Sequence, residues 1–204
     1  NKYQTVGNLV HEIIEKIGSF NKKPTGKEFD KIVDESLRTH VNKLPLLGEE
    51  KIEEIKEKVA IWNDSKRSRN KVIAIEQGLE FEFCDRNFYG KIDRVETDSE
   101  GNLRIIDFKT SKANIKPGNK YQEQLLLYAH AWEQNTGESP NIIAYDFVME
   151  NKLVEADVKP ITVEKGLARL IPIVEGIDAN EFEAIPDKRT CQYCDFSGIC
   201  PDRY

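Results

Sequence analysis

Three short apolar runs in the middle of the chain constrain its fold most strongly. They cover residues 72–84, 88–97 and 103–109, and turn-forming residues separate them at Asp85-Arg86-Asn87 and at residues 98–102. Runs of this length, with β-branched and aromatic residues between polar turn segments, are typical of strands joined by hairpins. The central part of the chain is therefore predicted to be an antiparallel three-strand meander.

The segments on either side of the meander have helical periodicity instead. A helix is predicted over residues 5–20, where the apolar residues recur at helical spacing, and two more are predicted from Thr25 towards Leu44 and over residues 49–69. Thr25-Gly26-Lys27-Glu28 matches a capping box at the start of the second helix. After the meander, the pattern predicts a helix over residues 119–134, strands over 142–149 and 153–158, and a helix over 162–177. This order predicts a mixed α/β sheet flanked by helices, with an added helical region at the N-terminal side.

Composition narrows the function classes. The chain has 204 residues and a net charge of −6, which argues against a protein that coats nucleic acid through overall positive charge. A nuclease is compatible with this charge, because it needs clustered carboxylates for cations and only a local basic strip for DNA. The sequence has no phosphate-binding glycine loop, no apolar run of about 18 residues and no secretory signal pattern, so we expect a cytoplasmic protein without membrane contact.

Two acids and a lysine in the meander carry the pattern of a metal site. Asp107 and Lys109 are two residues apart on one strand, so their side chains leave the same face, and the strand register can bring Asp93 near Asp107. Acids that close repel each other unless a cation joins them, and such oxygen-rich sites suit Mg²⁺ or Mn²⁺. For an isolated Asp-x-Lys motif, however, a salt-bridged group on a solvated sheet face is the more common explanation.

Two helical features add to this pattern. His11 lies one turn after Gly7 at the margin of the apolar stripe, where Gly7 leaves open space beside the imidazole. Gln124 and Tyr128 are four residues apart and share one helix face, so they can hold a phosphate or Lys109. The alternative for each is ordinary packing, as a core histidine and as a tyrosine among apolar neighbours.

Taken together, four motifs resemble those of the RecB-like nucleases of the PD-(D/E)XK superfamily. The resemblance spans nearly the whole chain and is strongest to AddB-type nuclease domains and CRISPR adaptation nucleases. The motifs are Gly7-x-x-x-His11, Gly90-x-Ile92-Asp93-Arg94, Ile106-Asp107-Phe108-Lys109-Thr110 and Gln124-x-x-x-Tyr128.

The resemblance implies a restriction-endonuclease-like core and a set of roles. It implies that His11, Asp93, Asp107 and the main-chain carbonyl of Phe108 bind Mg²⁺ or Mn²⁺. Lys109 would orient the nucleophilic water, and Gln124 and Tyr128 would complete the site. Glu76 resembles an acid often found just before the first strand, and we interpret it as structural or substrate-positioning.

The activity that follows from the resemblance is metal-assisted hydrolysis of DNA phosphodiesters, as an exonuclease of recombination, repair, phage or CRISPR-adaptation processing. A fused or associated helicase or recombination subunit is the expected partner. Two alternatives stay open. One is a catalytically inactive relative that binds DNA or a protein through the same fold, and the other is a site-specific restriction enzyme, which leaves His11 and the cysteines unexplained.

The C-terminal residues carry a separate motif. Residues 1–182 are predicted to form the nuclease domain and residues 183–204 a tail without clear periodicity, in which Cys191, Cys194 and Cys200 have the C-x2-C-x5-C spacing of relatives that hold a four-iron cluster. In those relatives the fourth cysteine precedes the histidine helix, and no cysteine precedes His11 here. Three alternatives stay open: the chain was cut from a longer protein just after its first ligand, Cys84 substitutes, or the three thiols are idle or bind zinc.

A basic strip precedes the first predicted strand. Lys66, Arg67, Arg69 and Lys71 lie within six residues of one another and are candidates for contacts with DNA phosphates. Cations at a solvated helix C-terminus are equally well explained by the helix dipole.

Overall fold

The computed structural model describes residues 1–20, 22–113 and 121–204. Its helices and strands follow the predicted order. They are α1 (Lys2–Gly18), α2 (Lys27–Thr39), α3 (Glu49–Asp64), β1 (Lys71–Phe83), β2 (Arg86–Thr97), β3 (Leu103–Lys109), α4 (Tyr121–Thr136), β4 (Ile142–Phe147), β5 (Lys152–Asp157), α5 (Pro160–Ala168), α6 (Ile171–Asp178) and α7 (Lys188–Tyr193). Short 3₁₀ turns cover Leu44–Leu46, Lys66–Arg69 and Val148–Glu150.

One mixed sheet forms the centre, with strand order β1-β2-β3-β4-β5. The β1-β2-β3 meander is confirmed, since both of its neighbouring pairs are antiparallel. β3 and β4 run parallel, and β4 and β5 are antiparallel. Parallel strands need a long crossover connection, which contains α4 here. The predicted mixed α/β sheet flanked by helices is therefore confirmed.

Helices bury both faces of the sheet. On one face, α1 and α3 pack Leu9, Ile13 and Trp62 against Ile106 and Phe108 of β3. On the other face, the apolar residues of α4 pack with those of the strands; this second core includes Leu125, Ala129, Val95, Ile105 and Tyr145. Because β3 is covered from both sides, its residues 104–108 are all buried, and this pattern belongs to a central strand.

The hairpin between β1 and β2 turns one residue earlier than predicted. Its two central residues are Cys84 and Asp85, whose φ angles are +52° and +55°, and Phe83 pairs with Arg86. Positive φ at both central positions is the geometry of a type I′ turn, which matches the twist of the flanking strands. The predicted turn at 85–87 was thus wrong, and the true turn sets a different register along the whole hairpin.

Several helix boundaries also differ from the prediction. α2 begins at Lys27 with Gly26 at its N-cap and no side-chain cap bond, so the capping box from Thr25 is not formed, and α2 ends at Thr39 rather than near Leu44. The helix predicted over 49–69 ends at Asp64, and a 3₁₀ turn follows. The single helix predicted over 162–177 is two helices, because Pro172 begins α6 and cannot continue a helix from α5. Residues 119–120 of the predicted fourth helix lie outside the described residues.

By its internal contacts the chain divides into two compact units, Asn1–Leu167 and Ala168–Tyr204. The sheet and α1 to α4 belong to the first unit, and α6 and α7 belong to the second. The predicted boundary after residue 182 stays a prediction. None of the helices in the described ranges has the length and apolar character that a membrane span requires.

Candidate metal centre and active site

The candidate site lies where β2 and β3 separate. Their ladder ends at the Arg94–Ile106 pair. Beyond that pair, the backbone N–H of Phe108 donates to Asp93 Oδ2 at 2.8 Å instead of to a strand neighbour. The side chain of Asp93 thus takes the place of a backbone partner, and the peptide groups of Phe108 face the opening between the strands.

The imidazole of His11 closes this opening from α1. Its Nε2 lies 3.0 Å from the carbonyl oxygen of Phe108, and since a carbonyl only accepts, Nε2 donates. Its Nδ1 lies 3.7 Å from Asp93 Oδ2. A separation of about 3.0 Å is also what neighbouring ligands of an octahedral ion with bonds of about 2.1 Å show. His11 and the Phe108 carbonyl are therefore placed as two adjacent ligands would be.

Glu76 joins His11 and Asp93 as a third potential ligand. The ligand atoms of these three residues all lie within 4.8 Å of one another, and we call the three residues the acid cluster. Ile75 pairs with Arg94 and Gln77 with Ile92, so Glu76 is the residue opposite Asp93. Glu76 lies inside β1 with a φ of +48°, not before the strand, and its interpretation as structural or substrate-positioning stays a prediction. A carboxylate pair with one imidazole suits a divalent ion such as Mn²⁺ or Mg²⁺.

The register of the hairpin is the sequence signal that could have found Glu76. A two-residue turn at Cys84-Asp85 places residue 76 opposite residue 93, whereas a three-residue turn at 85–87 shifts the partner of Glu76. Type I′ turns favour Asn-Gly and Asp-Gly, and Cys-Asp is not among those pairs. The residues of the turn therefore do not predict that Glu76 lies opposite Asp93.

Within the acid cluster, the negative charge of Asp93 is not balanced by a lysine or arginine among the described residues. Burial first, and then the negative charge of Asp107, raise the pKa of Asp93 to about 6, although His11 and the Phe108 N–H act in the opposite direction. Glu76 differs, because Lys91 forms an ion pair with it and the pKa of Lys91 is raised mainly through that hydrogen bond. A cation near Asp93 would remove the cost of a buried charge that has no lysine or arginine partner among the described residues.

Asp107 and Lys109 form a second, neighbouring group. Lys109 Nζ lies 2.5 Å from Asp107 Oδ2, and it also lies 5.4 Å from the ring centre of Tyr145. Asp107 is 4% exposed, and burial raises its pKa while the charge of Lys109 lowers it. The predicted proximity of Asp107 and Lys109 is present in the structure, but Asp107 does not belong to the acid cluster.

Gln124 and Tyr128 border these groups from α4. Gln124 Nε2 donates to the Tyr128 hydroxyl at 2.9 Å. Burial raises the pKa of Tyr128, and the charges of Asp107, Asp93 and Glu76 raise it as well. The Tyr128 hydroxyl therefore lies in the field of all three acids, and its role in completing the site stays a prediction.

An open cleft of about 420 Å³ gives access to the acid cluster and is lined by Gly7, Asn8 and His11 of α1 together with Glu76 and Asp93. Gly7 does line it, as predicted. However, a Cβ at Gly7 would meet Thr110 Oγ1 at an ordinary 3.7 Å, so the end of β3 borders this position.

The basic strip divides into two parts. Arg67 turns inward, where its Nη1 lies 3.0 Å from the buried Asp146 Oδ1 and its Nη2 donates to Asn151 Oδ1. Arg69 and Lys71 line a separate surface groove. Among the described residues, Lys66 belongs to neither part.

The cysteines are free and partly buried. Cys191 is in α7 and Cys194 follows it, while Cys84 occupies the β1–β2 turn in the other unit. Within the described ranges, which contain the whole tail, the acid cluster is the one group of three or more ligand atoms gathered within 4.8 Å, so the three tail thiols are not gathered in this way. Three thiolates are also one fewer than a four-iron cluster takes.

Comparison with protein families agrees with this geometry. The family model of the PD-(D/E)XK nuclease superfamily matches residues 1–201. The chain belongs to the PD-(D/E)XK nuclease superfamily. Nucleases of this superfamily use divalent metals, and the acid cluster provides a candidate site for one.

One curated protein and one solved structure are similar to this PD-(D/E)XK chain. It is 32% identical over 134 residues to "Gene 69 protein" of Mycobacterium phage D29, an alignment that covers 63% of this chain and 48% of the phage protein. The chain thus spans about half the length of that relative. A solved structure from Eubacterium rectale that carries the name "Putative exonuclease" is similar with a TM-score of 0.58 at 16% identity, over 96% of this chain and 73% of the other, and this similarity supports the fold.

Proposed function

We propose that this PD-(D/E)XK chain is a Mg²⁺- or Mn²⁺-dependent deoxyribonuclease that hydrolyses phosphodiester bonds, acting as an exonuclease. The observation that carries the proposal is the acid cluster of His11, Glu76 and Asp93 next to the Asp107–Lys109 pair. Cation ligands and a lysine beside an open cleft are the groups that phosphodiester hydrolysis requires.

The residues have distinct proposed roles. His11, Glu76, Asp93 and the Phe108 carbonyl would hold the ion, and Asp107 would join them once Lys109 turns from its carboxylate towards substrate. A bound divalent ion supplies charge stabilisation at the phosphoryl group and a more acidic water. Lys109 orients the attacking water or the phosphate oxygen, because its Nζ is the cation next to Asp107 on β3. Tyr128 and Gln124 contribute hydrogen bonds at the edge of the site.

The proposal also covers the DNA-processing pathway in which the nuclease acts and the proteins that assist it. The similarity to a phage protein favours a role in phage DNA processing, and recombination, repair and CRISPR adaptation share the same chemistry. Because the chain spans about half of that relative, the remainder of a longer protein, or an associated helicase or recombination subunit, would supply DNA unwinding or delivery. A closer relation to AddB-type domains or CRISPR adaptation nucleases is part of this proposal.

We also propose that Cys191, Cys194 and Cys200 hold an iron–sulfur cluster only when a fourth ligand is present in the full-length protein. Iron and sulfide analysis after anaerobic purification tests this: this chain should bind iron in clearly substoichiometric amounts. A stoichiometric four-iron cluster in this chain would contradict it.

The nuclease proposal is tested with the purified chain and end-labelled DNA. Mg²⁺ or Mn²⁺ should support cleavage and Ca²⁺ should not, and Lys109→Ala should lower the rate by about 100-fold or more at unchanged metal affinity. Lys56→Ala is the matched control, because Lys56 pairs with Glu53 on the surface of α3. Cleavage by Lys109→Ala at the control rate would remove Lys109 from the site, and no cleavage with any divalent ion would favour the catalytically inactive relative.

A further inference from the structure

A basic groove lies between the C-terminal end of α1 and the start of β1. Its volume is about 610 Å³, and the residues that line it include Lys22, Lys23, Arg69 and Lys71. None of the described residues that line it is acidic. Four cations around one groove stand out in a chain whose net charge is −6. We call this feature the basic groove.

Most of these cations are available for a ligand. Lys23 forms an ion pair with Asp64, and Arg69 donates to the backbone carbonyl of Asp64 at 3.4 Å. Lys22, Arg69 and Lys71 have no carboxylate partner among the described residues. The basic groove therefore presents uncompensated positive charge to solvent.

The basic groove also lies near the acid cluster along α1. Gly18 lines both the basic groove and a narrow pocket that contains His11, Glu76 and Asp93. A Cβ at Gly18 would lie 2.9 Å from Ile75 Cδ1, so the absence of a side chain keeps α1 close to β1 at this junction. His11 and Gly18 are seven residues apart on α1, a rise of roughly 10 Å. A strand bound in the basic groove would thus be within a few nucleotides of the acid cluster.

An aromatic side chain completes the basic groove. Phe20 lines it and is 47% exposed. A cationic groove that follows the backbone, combined with an exposed aromatic ring for stacking, is the arrangement that binds single-stranded nucleic acid. A duplex that is bound only through its phosphates has no unpaired base to stack on the Phe20 ring.

We infer that the basic groove binds a single-stranded stretch of the DNA whose phosphodiester is cut at the acid cluster. Lys22, Arg69 and Lys71 contact phosphates, and Phe20 stacks on an unpaired base. The inference rests on the proposed nuclease function and adds the strand class and the path of the substrate, which lies along the C-terminal half of α1.

Binding of a fluorescent single-stranded oligonucleotide, measured in Ca²⁺ over a range of salt concentrations, tests the phosphate contacts. Lys22→Gln combined with Lys71→Gln should weaken binding about tenfold or more and reduce the slope of log K against log salt by about 1.4, which is about 0.7 for each lost contact. The control is Lys31→Gln combined with Lys56→Gln, which removes two charges on α2 and α3 outside the basic groove. Equal slopes for the groove variant and the control would overturn the inference.

The stacking contact is tested with a modified substrate. Phe20→Ala should weaken binding of a normal single strand by roughly tenfold and of a strand with abasic sites by much less, because the base is already missing. The same loss with both strands would show that Phe20 has only a structural role. An equal loss for blunt duplex DNA would overturn the assignment to single strands.

A small phosphodiester separates this inference from the nuclease proposal. Bis(p-nitrophenyl) phosphate is too small to reach the basic groove from the acid cluster, so the groove variants should hydrolyse it at the wild-type rate. If wild-type protein hydrolyses neither this compound nor DNA with any divalent ion, the nuclease proposal fails, while the binding data still decide the role of the basic groove.

Discussion

Neighbouring residues of β2 belong to two charged regions that differ in how their charges are balanced. Asp93 belongs to the acid cluster, whereas Arg94 and Glu96 belong to a buried group of ion pairs that we call the paired network. Arg94 Nε lies 2.7 Å from Glu96 Oε2, and Arg104 of β3 lies beside the same carboxylate, with Nε 3.5 Å from Oε1. Asn70 donates to that oxygen at 2.6 Å.

The difference lies in whether the buried charge has a partner of opposite charge. In the paired network the buried carboxylate faces guanidinium groups, and the charge of Glu96 opposes the lowering of the Arg94 pKa that burial causes. In the acid cluster, burial and the charge of Asp107 together raise the pKa of Asp93. A cation bound in the acid cluster would offset the cost of the buried Asp93 charge. The paired network needs no such cation, because guanidinium groups already offset the charge of Glu96.

The largest effect on stability should come from breaking the paired network. Glu96→Gln leaves the guanidinium of Arg94, which is 2% exposed, without its carboxylate and should lower the free energy of unfolding by about 3–5 kcal/mol. Glu155→Gln is the matched control. Glu155 pairs with Arg104 but its side chain is 48% exposed, so the loss should stay below about 1 kcal/mol. Urea denaturation measures both, and equal losses would show that the buried pair contributes no more than a surface pair.

In the acid cluster, by contrast, removing the charge of Asp93 should stabilise the fold at neutral and higher pH. The pKa of Asp93 is raised from 3.8 to about 6 in the folded chain, so its contribution to stability is fully present below about pH 4 and is lost as the pH rises through about 6. The loss is at most about 3 kcal/mol, the free energy that corresponds to a rise of the Asp93 pKa from 3.8 to about 6. In EDTA, Asp93→Asn should therefore melt at a higher temperature than the wild type at pH 8 and at a similar temperature at pH 4.

The control for this pH profile is Asp30→Asn, because Asp30 is exposed on α2. It should melt like the wild type at every pH. Identical profiles for Asp93→Asn and Asp30→Asn would show that Asp93 carries no unbalanced charge.

The smallest effect is expected for Tyr128, whose uncharged hydroxyl lies beside the acid cluster. Tyr128→Phe removes the hydroxyl that accepts from Gln124 and should cost about 1 kcal/mol of stability or less. If that hydroxyl also donates in the reaction, kcat/KM for DNA should fall by about tenfold, the equivalent of one hydrogen bond. An unchanged kcat/KM, measured beside the melting temperature, would leave Tyr128 a packing role only.

Regular periodicity made much of the fold predictable. The apolar spacing of α1 and the alternating runs of the meander follow directly from the sequence, and so does the proximity of Asp107 and Lys109 on one strand face. Glu76 did not follow, because its place opposite Asp93 depends on a two-residue turn at Cys84-Asp85, and Cys-Asp is not a pair that type I′ turns favour. The inward turn of Arg67 likewise depends on Asp146, a residue 79 positions away in the chain.

Metal binding tests the central claim most directly, which is that His11, Glu76 and Asp93 form a cation site. Isothermal titration with Mn²⁺ should give one site in the wild type, and Glu76→Gln and Asp93→Asn should each weaken it by about tenfold or more, since each removes a ligand. Glu15→Gln is the matched control, because Glu15 lines the same cleft without belonging to the acid cluster. It should bind within about twofold of the wild type, a change below about 0.4 kcal/mol. If Glu76→Gln binds Mn²⁺ as tightly as Glu15→Gln does, Glu76 is not a ligand and the proposed site is contradicted.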